Sequence, residues 1–152
     1  MPMPWTYRHA DKEWRAFLRD ARESMSLSSD NMAYTAIDAV FQTFRRRLTA
    51  QEGLDFASVL PSVPRAIFLH DWRVADPPEP FADRTAMTGE VKRVRANHNL
   101  TPDNAIEAVA WALRRSVGQR DLDRILERLG PEAQAYWHVD VDDPTELAQR
   151  VV

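Results

Sequence analysis

Residues 36–48, Ala36-Ile-Asp-Ala-Val-Phe-Gln-Thr-Phe-Arg-Arg-Arg-Leu48, lie over residues 105–117, Ala105-Ile-Glu-Ala-Val-Ala-Trp-Ala-Leu-Arg-Arg-Ser-Val117, with six identities in 13 positions. The offset of 69 holds downstream, pairing Phe56 with Ile125, Leu60 with Leu129 and Phe68 with Trp137. Upstream it becomes 73, pairing Leu18 with Val91, Leu27 with Leu100 and Asp30 with Asp103. Four residues make about one helical turn. The second helix of the first half is therefore expected to be one turn longer at its start. Agreement across several elements reads as a duplication.

Each copy reads as helices. Trp14, Phe17, Leu18, Ala21 and Met25 form one apolar stripe opposite Arg15, Arg19, Arg22 and Glu23. Met87, Val91 and Val94 are the counterpart, ending near Asn97-His98-Asn99. The next helix is expected to begin at Ser28 or Ser29 in the first copy. In the second it is expected at Thr101-Pro102-Asp103, a hydroxyl cap, an N1 proline and an acid in the first turn. Leu122, Ile125, Leu126 and Leu129 give a third helix closed by Gly130-Pro131. One or two turns follow at 131–137, mirrored by 62–69. No window alternates as a half-buried strand does. The predicted fold is all-α, a helical bundle of two fused, pseudo-symmetric three-to-four-helix repeats. Repeat one runs over 12–72, a proline-rich joint over 73–83, repeat two over 84–140 and a tail over 141–152, all in a single domain. The joint should pack across the helices, and Trp72 and Trp137 should be buried against their own repeats. Gly53, Gly118 and Gly130 read as helix ends.

With 152 residues and no cysteine, disulfides, thiolate metal sites and cysteine nucleophiles are excluded. The 4 glycines never form G-x-G-x-x-G or G-x-x-x-x-G-K, so neither phosphate-cradling loop is present. Twenty basic against 23 acidic residues, net −3, argue against a protein that coats nucleic acid by bulk charge. All the basic residues but Lys12 and Lys92 are arginine. No stretch is apolar enough to span a membrane, and residues 1–6 lack the basic-then-apolar order of a secretory leader. The expected location is cytoplasmic.

The run Asp30-Asn31-x-Ala33-x-x-Ala36-Ile37-x-x-Val40, then Leu60-Pro61, Phe68, Trp72 and Pro77-Pro78, resembles an uncharacterised bacterial family, domain of unknown function 2267. Val91, Leu100, Ala105, Val109, Leu129 and Trp137 carry the resemblance in the second copy. It departs at Asp71, where a small residue is favoured, and at Gly130, where a proline is expected. The resemblance implies a helical protein with two related halves and brings no reaction, cofactor or partner.

The candidate sites are few. Arg45, Arg46 and Arg47 and, at the corresponding helix end, Arg114 and Arg115 are the best functional candidates. Cations there suit the helix dipole, and across a twofold axis Arg45, Arg46, Arg114 and Arg115 would form one partner-binding patch. His9, His70, His98 and His138 are far apart in sequence and fit neither H-E-x-x-H nor E-x-x-H spacing. Asp38 and Glu107 flank the apolar stripes, where pairing with an arginine one turn away is expected. Ser24, Ser26, Ser28 and Ser29 precede a helix and suit capping; no G-x-S-x-G elbow exists. Asp30-Asn31 and Asp103-Asn104 open the candidate recognition helices with acid, which repels DNA phosphates. The reading is a non-enzymatic protein-binding or regulatory module with no catalytic, cofactor or metal residues, its partner an unknown protein or a second copy of the chain. The alternative is nucleic-acid or anionic-ligand binding through the arginine patch.

Overall fold

Local signals set several helix boundaries in the computed structural model, which describes residues 1–95, 97 and 101–152. Among the described residues nine α-helices follow in order: α1 (Trp5–Arg8), α2 (Ala10–Ser24), α3 (Asp30–Arg45), α4 (Ala50–Ala57), α5 (Ser62–Leu69), α6 (Arg84–Arg93), α7 (Ala105–Ser116), α8 (Gln119–Leu129) and α9 (Pro131–Tyr136), with a 3-10 turn at Pro144–Leu147. No described residue is in a strand. Ser29 caps α3, its hydroxyl accepting from Met32 N at 3.2 Å. Thr49 and Glu52 form a reciprocal capping box on α4. Gly130, at φ 109°, closes α8 in a region open to glycine, and Pro131 starts α9.

Helix α3 has 16 residues and α7 has 12, in line with the extra turn expected in the first copy. Two boundaries differ from expectation. Helix α7 begins at Ala105, because 101–104 make a separate turn in which Ala105 N bonds Pro102 O at 3.2 Å. Thr101 is buried there and does not cap the helix. Gly53 lies inside α4 and ends nothing: a Cβ at this position would stand 2.0 Å from Trp72 Cη2, so the glycine admits the indole. His98, Asn99 and Leu100, expected at a helix end and in the repeat pairing, lie outside the described residues.

Helix α2 packs most extensively on α7, and α6 packs on α3. Between them lies an aromatic core of Phe41, Phe44, Phe56, Phe68, Tyr136 and Trp137, all buried. Phe44 is central, with ring centroids 4.9 Å from Phe56, 5.1 Å from Tyr136 and 5.3 Å from Trp137, the separations at which aromatic quadrupoles attract. Trp137 is buried as expected, against Phe41, Phe44 and Phe56 as well as its neighbour Tyr136, so its surroundings come from both sides of the joint. Trp72 is partly buried, against Phe68 and Gly53.

The joint packs as expected. Glu79 N bonds Arg46 O at 3.0 Å, Arg47 Nε donates to Pro80 O at 3.2 Å, and Phe81 lies 6.2 Å from Phe44. The tail folds back over α7: Leu147 is buried, Trp111 Nε1 donates to Glu146 Oε1 at 3.0 Å, and Arg150 N bonds Arg115 O at 2.9 Å. No helix among the described residues is long and apolar enough to cross a membrane.

Candidate functional site

The last four carbonyls of a helix have no partner within it, and arginines from neighbouring elements meet them here. Arg45 Nη1 donates to Phe68 O at 2.7 Å and His70 O at 3.0 Å, closing α5. Arg114 Nε donates to Trp137 O at 2.9 Å, closing α9, where Arg84 adds Ala135 O at 2.9 Å. Arg65 gathers Ala57 O, Ser58 O and Leu60 O at the end of α4. A planar fork with five donors suits this work better than an ammonium. Much of the arginine content is thus structural.

That use corrects the four-residue patch. Arg45 and Arg114 are 7% and 8% exposed and are committed to internal carbonyls. Arg45 is desolvated enough that burial lowers its pKa, against the pull of Asp38. Arg46 is half-buried beside the joint, whereas Arg115 faces Asp20 of α2. The contacts of the two pairs lie on different elements. Arg47, the third of the run, is buried on Glu90 Oε2 at 2.5 Å and Thr43 O at 2.8 Å.

Arg115 instead belongs to a cleft of about 310 Å³ between α2, the end of α7 and the tail, lined by Trp5, Glu13, Ala16, Ser116, Gln149, Arg150, Val151 and Val152 besides itself. Beneath it lies Asp20, a carboxylate 4% exposed on α2. Arg150 Nη2 donates to Asp20 Oδ2 and to Ala16 O at 3.3 Å, while Arg115 Nη1 stands 3.6 Å from Asp20 Oδ1. Burial raises the Asp20 pKa, and Arg150 and Arg115 oppose it. Arg115 is held over the Trp111 ring, 4.6 Å from its centroid. Sequence reasoning missed Asp20 and Arg150. Asp20 lies three residues after Phe17 and four after Ala16, on the flank of the apolar stripe, and that was its one local signal. The tail's Arg150 had none.

The other candidates remain separate. His70 Nε2 is 3.2 Å from Asp71 Oδ2 and His138 Nε2 is 2.7 Å from Asp140 Oδ1, each an exposed local pair. His9 stacks on Trp5 at 3.6 Å. Among the described residues no three His, Asp or Glu side chains are grouped to hold a metal ion. Asp38 accepts from Gln42 Nε2 at 2.8 Å, so its partner one turn on is an amide and not the arginine expected; burial raises its pKa. Glu107 is exposed and lines a shallow groove with Glu23, Asp140, Glu146 and Trp111. Chemically, the Arg115–Arg150 cleft offers guanidinium donors, an apolar wall and one hydroxyl, Ser116, with no histidine among its lining residues.

No curated protein matches this chain. A family of uncharacterized conserved proteins matches residues 14–136, which takes in every helix from the core of α2 to the end of α9. On that match the chain belongs to the DUF2267 family, and what its architecture adds is a cleft completed by a tail outside the matched region.

Proposed function

We propose that this protein is a non-enzymatic protein-binding or regulatory module, built from two fused, pseudo-symmetric repeats, whose contact surface surrounds the Arg115–Arg150 cleft. One observation carries the surface. Trp5 and Tyr7 are 54% and 55% exposed and Val151 is 87% exposed, and Trp5 and Val151 line that cleft together. Exposed aromatic and aliphatic groups beside a charged pocket are what an association surface needs, and α1 is held to the rest by Thr6, which bonds Ser62 and leaves Trp5 and Tyr7 outward. The repeat reading is supported by equivalent clamps, Arg45 on Phe68 O and Arg114 on Trp137 O, each spanning 23 residues. It is supported also by the exchange of packing, α2 on α7 and α6 on α3.

The test is affinity capture from the native cell with the wild type and a Trp5→Ala/Tyr7→Ala variant side by side. Proteins retained by the wild type and lost by a folded variant are the expected result. Equal recovery by both would place the contact surface elsewhere.

A further inference from the structure

We propose that the cleft framed by Trp5, Arg115 and Arg150 is the recognition pocket of that surface, and that it takes a carboxylate side chain carried on an extended segment of a partner protein. This inference rests on the binding-module reading. Its first support is the state of Arg115. Among the described residues its guanidinium makes no hydrogen bond, since Asp20 Oδ1, the nearest acid oxygen, is 3.6 Å away. Five donors are therefore uncommitted on a side chain 22% exposed, and the Trp111 ring holds the group in place beforehand.

Arg150 is the second support. Among the described residues only its Nη2 is engaged, on Ala16 O and Asp20, which leaves Nη1 unused and a buried Nε without a partner. The two guanidinium groups share one buried acid, Asp20, which cannot satisfy the donors of both. Glu13, the other acid lining the cleft, makes no ion pair with either arginine among the described residues and has one buried oxygen, Oε1, without a donor. A ligand that answers both needs carries an anion for the arginines and an N–H for Glu13. A carboxylate side chain next to a main-chain amide has both. Guanidinium and carboxylate pair through two parallel hydrogen bonds, the geometry that favours arginine over lysine at such sites.

Size and wall agree. The cleft's 310 Å³ exceeds the roughly 30 Å³ share of a water molecule by about tenfold, room for a side chain with its flanking backbone. Trp5, Ala16, Val151 and Val152 supply apolar contact around the charged floor. The surrounding walls thus suit an acidic residue set among apolar ones, in contrast to a polyanion such as nucleic acid.

The side-chain Nε–Hε signals of Arg115 and Arg150 in the NMR spectrum of the full chain report directly on the site. Titration with N-acetyl-glutamate amide is expected to shift both saturably, while the neutral N-acetyl-glutamine amide leaves them in place. Inorganic phosphate, the free-anion control, is expected to bind at least ~tenfold more weakly because it lacks the amide and the apolar contact. Arg115→Gln should weaken the glutamate response by at least ~tenfold, and Arg15→Gln, on the exposed face of α2, should not change it. If Arg115→Gln does not fold, Arg115→Lys, which keeps the charge and loses the fork, replaces it with weakened binding expected. No saturable shift, an equal shift from the glutamine analogue, or a preference for phosphate each overturns the proposal. Capture of a partner without a response to the glutamate probe removes the pocket and leaves the module standing. A response without any partner removes the module reading instead.

Discussion

Arg45, near the end of α3, donates a 2.7 Å hydrogen bond to the main-chain oxygen of Phe68, 23 residues further on. The bond joins a buried charge to a helix end that would otherwise present bare carbonyls. Replacing Arg45 by Met leaves the Phe68 and His70 carbonyls without that donor, at a cost of about 2–3 kcal/mol. Arg46→Met, next in sequence and half-buried, should change stability by less than about 0.5 kcal/mol. Urea denaturation of the two variants checks this; equal costs would show that Arg45 is no clamp.

Gly53 and Trp72 form a second pair whose substitution has a definite sign. Alanine in a helix interior is favoured over glycine by about 1 kcal/mol. Here the added Cβ would meet the indole at 2.0 Å, and overpacking of that kind costs about 1–3 kcal/mol. Gly53→Ala should therefore destabilise the wild type and stabilise a Trp72→Ala background. A double-mutant cycle in chemical denaturation reads the reversal, and a stabilising effect in both backgrounds would refute the contact.

Tyr136 carries its hydroxyl into the core, where Oη donates to Val40 O at 2.7 Å and burial raises its pKa far above the usual phenol range. Tyr136→Phe keeps the ring stacked on Phe44 and leaves a buried carbonyl unpaired, for a loss of about 1–2 kcal/mol. Thermal unfolding should show the loss with no change in helix content by circular dichroism.

Asp38 gives a pH prediction. Burial raises its pKa above 3.8, with the Gln42 amide and Arg45 opposing. Below 3.8 the side chain is protonated in folded and unfolded chains alike, and its favourable contribution is complete. As pH rises through the raised value the folded protein must hold a poorly solvated charge, and that contribution is lost. Asp38→Asn should accordingly gain stability relative to wild type between pH 3 and pH 7. Urea midpoints at the two pH values measure it, and a gap that is constant or reversed would contradict the assignment.

The helices were legible where each end carried its own chemistry. Ser29 marks α3, and Gly130-Pro131 separates α8 from α9. Thr101-Pro102-Asp103 imitated such an end, but those residues belong to a turn that delivers the chain to Ala105. Gly53 was unreadable because its reason is Trp72, 19 positions away and brought close only by packing. At the cleft, Arg115 could be found from the repeated helix end. Asp20 and Arg150 meet across 130 residues, a separation at which no spacing rule operates.

Trp137 completes the aromatic nest of Phe41, Phe44 and Phe56 from the far side of the proline-rich joint. Neither half can then keep its interior dry when separated, since one would lose its keystone ring and the other would expose it. Loosening the packing around Phe44 therefore loosens Tyr136 and Trp137 with it, and the chain is expected to unfold in a single transition.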